Sequence, residues 1–301
     1  MSRACPKKRH SGDKPFDVRG GRIMVSLGPL SAGRYCPYSC RFCYLSGDFR
    51  PYAALTVDKI ASWVATVRDP YDIIYVSYDT DSFAPPRQQR GIELLDRLCE
   101  FDVDLLFTTR AVFSELMIVR LASIAQRLAT RHRMLVACQS LVQLSVPHLE
   151  PPPIPCPDSR IAQLSQLRAA GLATVLTLRP FLPNVPFDDL RQIIERAAPD
   201  VEVVLGGVWY YDQAGVMAEA ALGAESRSLR PDAIRRMDFD DNEAEWCVFE
   251  GRRPAKVVRE TCSEHGLPFF MRSGPAVSWL RSRRAAAVES GCRPLGDTAT
   301  R

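Results

Sequence analysis

The sequence predicts an α/β fold, a partial (β/α)6 TIM-type barrel with a C-terminal α/β extension, and three observations predict it. Between residues 22 and 208, short runs rich in β-branched and aromatic residues alternate with stretches of helical apolar spacing. Strands separated by helices at such short intervals form consecutive right-handed βαβ units, and hence a parallel sheet. The chain has 301 residues, 46% of them hydrophobic and 25% charged, enough for one barrel-sized unit with a real core. A dense cysteine group follows the first strand, at the end of the sheet where barrel enzymes keep their reactive groups.

Each element has a local signal. The apolar run Arg22–Leu27 is the first strand, stopped by Gly28-Pro29. Thr56 is an N-cap, and Ile60, Trp63, Val64 and Val67 share one helix face up to Asp69-Pro70. The second strand, Asp72–Tyr78, breaks into the polar tip Asp79-Thr80-Asp81-Ser82. A helix through Ile92, Leu95 and Leu98 leads to the third strand, Val103–Thr108. Ser114 caps a helix with Leu116, Val119, Leu121 and Ile124 on its apolar face, and Met134–Leu141 is the fourth strand. After a Pro-rich link, Asp158 caps a helix that Gly171 stops. Strand Thr174–Leu178, a helix over about Asp188–Ala197 and strand Val201–Val208 complete the series.

Residues 1–20, with the basic run Lys7-Lys8-Arg9-His10, read as a tail, 21–210 as the barrel, and 211–301 as an extension facing the substrate. Within the extension, Asp232–Asp241 and Pro254–His265 read as helices, Leu267–Met271 as a strand, and Gly274–Glu289 as a basic terminal helix. The net charge of +4 is small for this length, which argues against a nucleic-acid partner driven by charge. The first 21 residues contain no apolar core of a secretion signal, and no run approaches the roughly 18 apolar residues of a membrane span. Ten cysteines without such a signal fit a reduced, cytoplasmic protein.

The stretch Tyr35-Cys36-Pro37-Tyr38-Ser39-Cys40-Arg41-Phe42-Cys43-Tyr44 carries the chemistry. Three thiolates spaced C-x3-C-x2-C can grip one metal centre. A structural zinc site takes four protein ligands, and after Cys43 the next thiol is Cys99 and the next imidazole His132. Three ligands leave an open position, as a [4Fe-4S] cluster with one iron free would. A zinc site completed by a distant ligand and plain structural thiols are the other readings.

With Phe42 just before the third cysteine, the motif resembles the radical S-adenosylmethionine (SAM) superfamily. That resemblance implies Cys36, Cys40 and Cys43 as ligands of a [4Fe-4S] cluster whose free iron chelates SAM. It further implies an external one-electron donor of flavodoxin or ferredoxin type and cleavage of SAM to methionine and a 5′-deoxyadenosyl radical. The segments Val76–Phe83, Phe107–Arg110 and His148–Pro151, with Arg160 and Leu178–Pro183, are similar to the branch related to spore photoproduct lyase. Such lyases carry a hydrogen-donor cysteine at the tip of strand two, where this chain reads Ser77-Tyr78-Asp79; Tyr78 is the residue there able to supply a hydrogen atom.

The same resemblance implies a SAM site: Phe42 and Tyr44 beside the adenine, Ser77 at the amino group, Arg110 at the carboxylate and Ser140 at the ribose. Trp209-Tyr210-Tyr211, at the end of strand six, and Arg272 are candidate substrate contacts. Cys247, Cys262 and Cys292 contain no C-x2-C pair and read as lone thiols, an auxiliary cluster being the alternative; Cys99 and Cys138 read as core. Three functions stay open: hydrogen abstraction from a small polar substrate (nucleoside, sugar or amino-acid-like) in specialised metabolism, a nucleic-acid lesion lyase, or an iron-sulfur electron carrier.

Overall fold

Residues 16–27, 36–44, 55–236 and 245–289 are described by the computed structural model. The chain enters through a hairpin, β1 (Phe16–Arg19) and β2 (Arg22–Val25), paired antiparallel with Asp17 opposite Met24. Part of the expected tail is therefore a strand, whereas the basic run at 7–10 lies outside the described residues. Helix α1 (Val57–Thr66) follows, and Thr56 caps it as expected, its hydroxyl accepting from the Lys59 amide at 3.2 Å. Then come β3 (Ile73–Val76), α2 (Gln88–Leu98), β4 (Asp104–Thr109), α3 (Glu115–Ala129), β5 (Leu135–Ser140), α4 (Pro157–Ala169), β6 (Ala173–Leu178), α5 (Phe187–Ala197) and β7 (Val203–Gly206).

Strands β2 to β7 are the six expected ones. They lie side by side in chain order and all parallel, with Val25 opposite Val76, Val76 opposite Phe107, Thr109 opposite Gln139, Ser140 opposite Thr177, and Leu178 opposite Gly206. Their near-continuous apolar sequences suit a sheet covered on both faces. Leu105, Phe107, Leu135 and Ala137 point outward, into a layer shared with Ile92, Leu95, Leu121 and Ile124. Leu106, Val136, Val175 and Val203 point into the lumen of a curled half-barrel. A seventh parallel strand closes the far edge: β11 (Phe269–Phe270) pairs with β7.

Two elements depart from the sequence reading. Leu116 and Val119 are 73% and 65% exposed, and the buried face of α3 is Leu121, Ile124, Ala125 and Leu128. At roughly 100° per residue, Leu116 and Val119 lie on the opposite side of the helix from Leu121. Asp158 stands in the first turn of α4 rather than at its cap, which is Cys156; Gly171 does stop that helix, at φ +82°.

The C-terminal third holds β8 (Trp209–Asp212), α6 (Val216–Leu222), β9 (Ala233–Arg236), β10 (Glu245–Phe249), α7 (Arg252–Glu264), β11 and α8 (Ser273–Glu289). β8, β10 and β9 form a separate antiparallel sheet in that order. The expected helix at Asp232–Asp241 is thus wrong where it is described, because Ala233–Arg236 pairs with Glu245–Val248; residues 237–241 lie outside the described residues. Trp209–Tyr211 likewise begin this second sheet instead of ending strand six, which stops at Gly206. Helix α8 lays Ala276, Val277 and Leu280 against the lumen residues Leu106 and Val136. Arg281 then ties it to the bottom of the main sheet, its guanidinium pairing with Asp72 at 2.9 Å and Asp104 at 2.5 Å. Among the described residues, no helix is long and apolar enough to cross a membrane.

Candidate active site at the mouth of the half-barrel

The chemistry-bearing residues gather where the parallel strands end. Cys36 to Tyr44 lies over this end, anchored by the Arg41 amide on the Leu149 carbonyl at 3.0 Å and by the Trp209 indole N–H on the Phe42 carbonyl at 2.9 Å. The Cys43 amide donates to the Cys40 carbonyl at 3.1 Å, a tight turn that links the last two cysteines of the motif. Cys36 accepts from the Asp81 amide at 3.5 Å. Burial, with the Asp81 carboxylate adding to it, pushes the Cys36 thiol up to about 12; burial likewise takes Cys40 to about 12 against the pull of Arg110. Cys36 lies within electrostatic reach of both Cys40 and Cys43.

Such thiols keep their protons until a cationic centre displaces them. Three soft sulfur donors on one short loop fit a three-thiolate iron-sulfur cluster. No group of three or more His, Cys, Asp and Glu side chains among the described residues is placed to hold a single metal ion.

A cavity of about 370 Å³ opens beneath the loop. Cys40, Cys43, Phe42, Tyr44, Ser77, Tyr78, Arg110 and Ser140 all line it, so eight of the nine sequence-derived site residues share one space, with Cys36 at its border through Asp81. Phe42 is 4% exposed and also belongs to the core, its ring 5.4 Å from the Arg110 guanidinium carbon. Ser77 adopts φ +63°, a left-handed backbone rare for a residue with a side chain. Its hydroxyl accepts from the Ser82 amide at 2.7 Å, which folds the loop after β3 back on itself. Asp81, in that loop, accepts from the Thr109 hydroxyl at 2.9 Å and the Arg110 amide at 2.7 Å, so it fixes the tip of β4. Phe83 packs with Phe107 and Phe113 at 4.7 and 5.8 Å between ring centres, holding the same loop from below.

The sequence reading did not assign the groups that surround Arg110. Glu150 is buried and takes a hydrogen bond from Arg110 Nε at 2.7 Å and from Arg160 at 2.6 Å, while Arg160, 0% exposed, also donates to the Ser140 carbonyl at 2.7 Å. Burial alone would raise the Glu150 pKa, but the two guanidiniums outweigh it and hold the carboxyl below its usual value. The segment containing Glu150 and the isolated Arg160 were visible in the sequence as points of resemblance; that they meet required the fold. Trp209 and Tyr210 line the cavity, but Trp209 is 1% exposed, hydrogen-bonded and packed 4.9 Å from Tyr211, so it is structural packing rather than a free platform. Tyr211 faces a different cavity, and Arg272 is exposed away from this one. Cys99, Cys138, Cys247 and Cys262 are buried singly, Cys156 is exposed, and Cys292 lies outside the described residues.

Comparison with known proteins agrees with this fold. Spore photoproduct lyase complexed with a dinucleoside spore photoproduct superposes with a TM-score of 0.57 at 12% identity, over 83% of this chain and 82% of that one. A spore photoproduct lyase variant gives 0.59 at 13% over the same shares. SuiB from Streptococcus suis, bound to S-adenosylmethionine, gives 0.56 at 13% identity over 84% of this chain but only 50% of its own length. Identities this low bear on the fold alone. None of the curated proteins matches the sequence significantly. The family model for the radical SAM superfamily matches residues 30–197, more than half of the chain and all of the cysteine motif. The chain therefore belongs to the radical SAM superfamily, whose members use a [4Fe-4S] cluster and S-adenosylmethionine.

Proposed function

We propose that this radical SAM enzyme abstracts a hydrogen atom from a small polar substrate, nucleoside, sugar or amino-acid-like, in the biosynthesis of a specialised metabolite. The observation that carries this reading is the single cavity lined both by Cys40 and Cys43 and by Phe42, Tyr44, Ser77, Arg110 and Ser140. Its size falls at the small end of ligand pockets, which run from about 300 to 1,000 Å³. When bound, the reduced cluster and SAM supply the 5′-deoxyadenosyl radical, the hard bond-breaking step that a cofactor brings to the protein.

The chain's own residues divide the remaining work. Cys36, Cys40 and Cys43 hold the cluster. Phe42 and Tyr44 would offer ring surface to the adenine, Ser140 would reach the ribose, and Ser77 would contact the amino group through backbone atoms. Arg110, which donates through Nε to Glu150 and through Nη2 to the Arg179 carbonyl at 3.4 Å, would turn its remaining donor to the SAM carboxylate. Tyr78, on the cavity wall, is the candidate hydrogen donor to a product radical. An external flavodoxin- or ferredoxin-type protein delivers the electron.

The test is isotopic. Reconstituted anaerobically with iron, sulfide and a reductant, the enzyme should form 5′-deoxyadenosine from SAM, and a deuterated small substrate should pass its label into that product. Label arriving only from an oligonucleotide would return the protein to the lesion-lyase class. No 5′-deoxyadenosine from a fully loaded enzyme would leave an electron carrier.

A further inference from the structure

The cavity has a second cationic pole that the SAM site does not use. Arg110 shares the Glu150 carboxylate with Arg160, whereas Arg179 and Arg22 line the same cavity and make no ion pair among the described residues. Arg179 leaves the tip of β6 and donates through Nη2 to the Met271 carbonyl at 2.7 Å and through Nε to the Gly206 carbonyl. Arg22, from the first residue of β2, donates through Nη1 to the Ser273 hydroxyl at 2.7 Å. Carbonyl and hydroxyl dipoles orient a guanidinium without cancelling its charge.

The seat of Arg179 is also built by the backbone. A Cβ on Gly207 would lie 2.7 Å from Arg179 Cγ and 2.9 Å from its Cδ, so the side chain crosses the end of β7 where glycine alone leaves room. Of its titratable neighbours, which also include Arg22 and Tyr210, Tyr75 and Cys138 are neutral near pH 7, because burial raises the tyrosine and pushes the thiol up to about 11. Burial, with Arg22 close by, lowers the pKa of Arg179. Two guanidiniums held near one another in a partly buried space are costly unless an anion joins them. Ser273 opens the 17-residue helix α8, whose amino end adds positive potential to the same corner.

We propose that Arg22, Arg179 and Ser273 form an oxyanion subsite, and that the substrate carries a carboxylate or a phosphate that docks there. This rests on the reading of the cavity as the substrate site of a radical SAM enzyme. The subsite orients the substrate from its charged end, leaving the neutral part beside Tyr78 and the cluster loop. Carboxylate and phosphate both suit forked guanidinium donors.

The experiment is calorimetry on the cluster-loaded, SAM-bound full chain, titrated separately with inorganic phosphate and with acetate. Saturable binding of either probe, one per chain, is expected, and the tighter of the two names the source of the oxyanion. Arg179→Met and Arg22→Met should each weaken it by about tenfold or more, as loss of a charged hydrogen bond does. Arg179→Lys should fall between, and Gly207→Ala, which disturbs the seat alone, should resemble Arg179→Met. Iron content and melting temperature confirm that each variant is folded and loaded. Absence of saturable binding to the parent protein, or equal affinity in the folded variants, overturns the subsite. Loss of SAM affinity in Arg179→Met also overturns it, by moving that arginine to the cofactor. Failure of the radical reading shows separately, as a parent enzyme that forms no 5′-deoxyadenosine.

Discussion

Glu150 has the most demanding position of any single residue, a carboxylate with 1% of its side chain exposed between two arginines. Removing one partner of such a group leaves a buried charge unanswered, which costs about 3–5 kcal/mol. Glu150→Ala should therefore lower the urea midpoint markedly at pH 7. Its folded pKa lies below the ordinary 4.5, so its contribution is fully present above that value and is lost as the pH falls through the depressed one. Glu150→Gln should accordingly flatten the acid limb of a stability curve below pH 4.5; an unchanged acid limb would mean the triad is not coupled to folding. Arg110, proposed to meet the SAM carboxylate, belongs to the same triad. Since an interaction with a charged group contributes roughly 1.5–3 kcal/mol, Arg110→Ala should weaken SAM binding by about ten- to a hundredfold at constant iron content, with Arg110→Lys between. Equal SAM affinity in all three would detach Arg110 from the cofactor.

At the scale of elements, the loop between β3 and α2 organises the site, and Ser77 is its hinge point. A β-branched residue in the left-handed region costs roughly 1–2 kcal/mol relative to glycine, so Ser77→Val should be less stable in denaturant than Ser77→Gly, even though glycine forfeits the bond to Ser82. Equal stabilities would show that the backbone there relaxes freely. The parallel strands were legible in the sequence because a doubly covered strand must be apolar almost throughout, as Leu105–Phe107 and Val136–Cys138 are. The cysteine motif was legible because its donors are local. Strand β9 was not, since Ala-Ile-Arg-Arg is an exposed edge segment whose partner, β10, comes later and supplies the pairing. The Arg110–Glu150–Arg160 triad was invisible for a related reason: its members belong to separate elements and meet only when β4, the link after β5 and α4 are assembled. Leu116 and Val119 misled because apolar spacing within a helix does not say which of two faces finds the sheet.

For the whole molecule, one cluster per chain is expected, about four iron and four sulfide, and elemental analysis after anaerobic reconstitution checks it; about twice that content would revive an auxiliary centre. Helix α8 matters to the architecture through Arg281, which answers the buried Asp104 and the exposed Asp72. Because Arg281 is itself 37% exposed, solvent softens the loss, and Arg281→Ala should destabilise by about 1–3 kcal/mol, read as a shift in the denaturant midpoint. A constant midpoint would show the helix is held by its apolar face alone. The position of β11 also sets a schedule for the nascent chain. The strand that covers the edge of β7 is made some sixty residues after it, so until Phe269 and Phe270 emerge from the ribosome the growing sheet carries a bare apolar edge, the kind that pairs with other chains. Translation speed through residues 207–268 thus governs how long that edge stays open, and a slow stretch there would appear as loss of soluble protein without any change in the finished enzyme's stability.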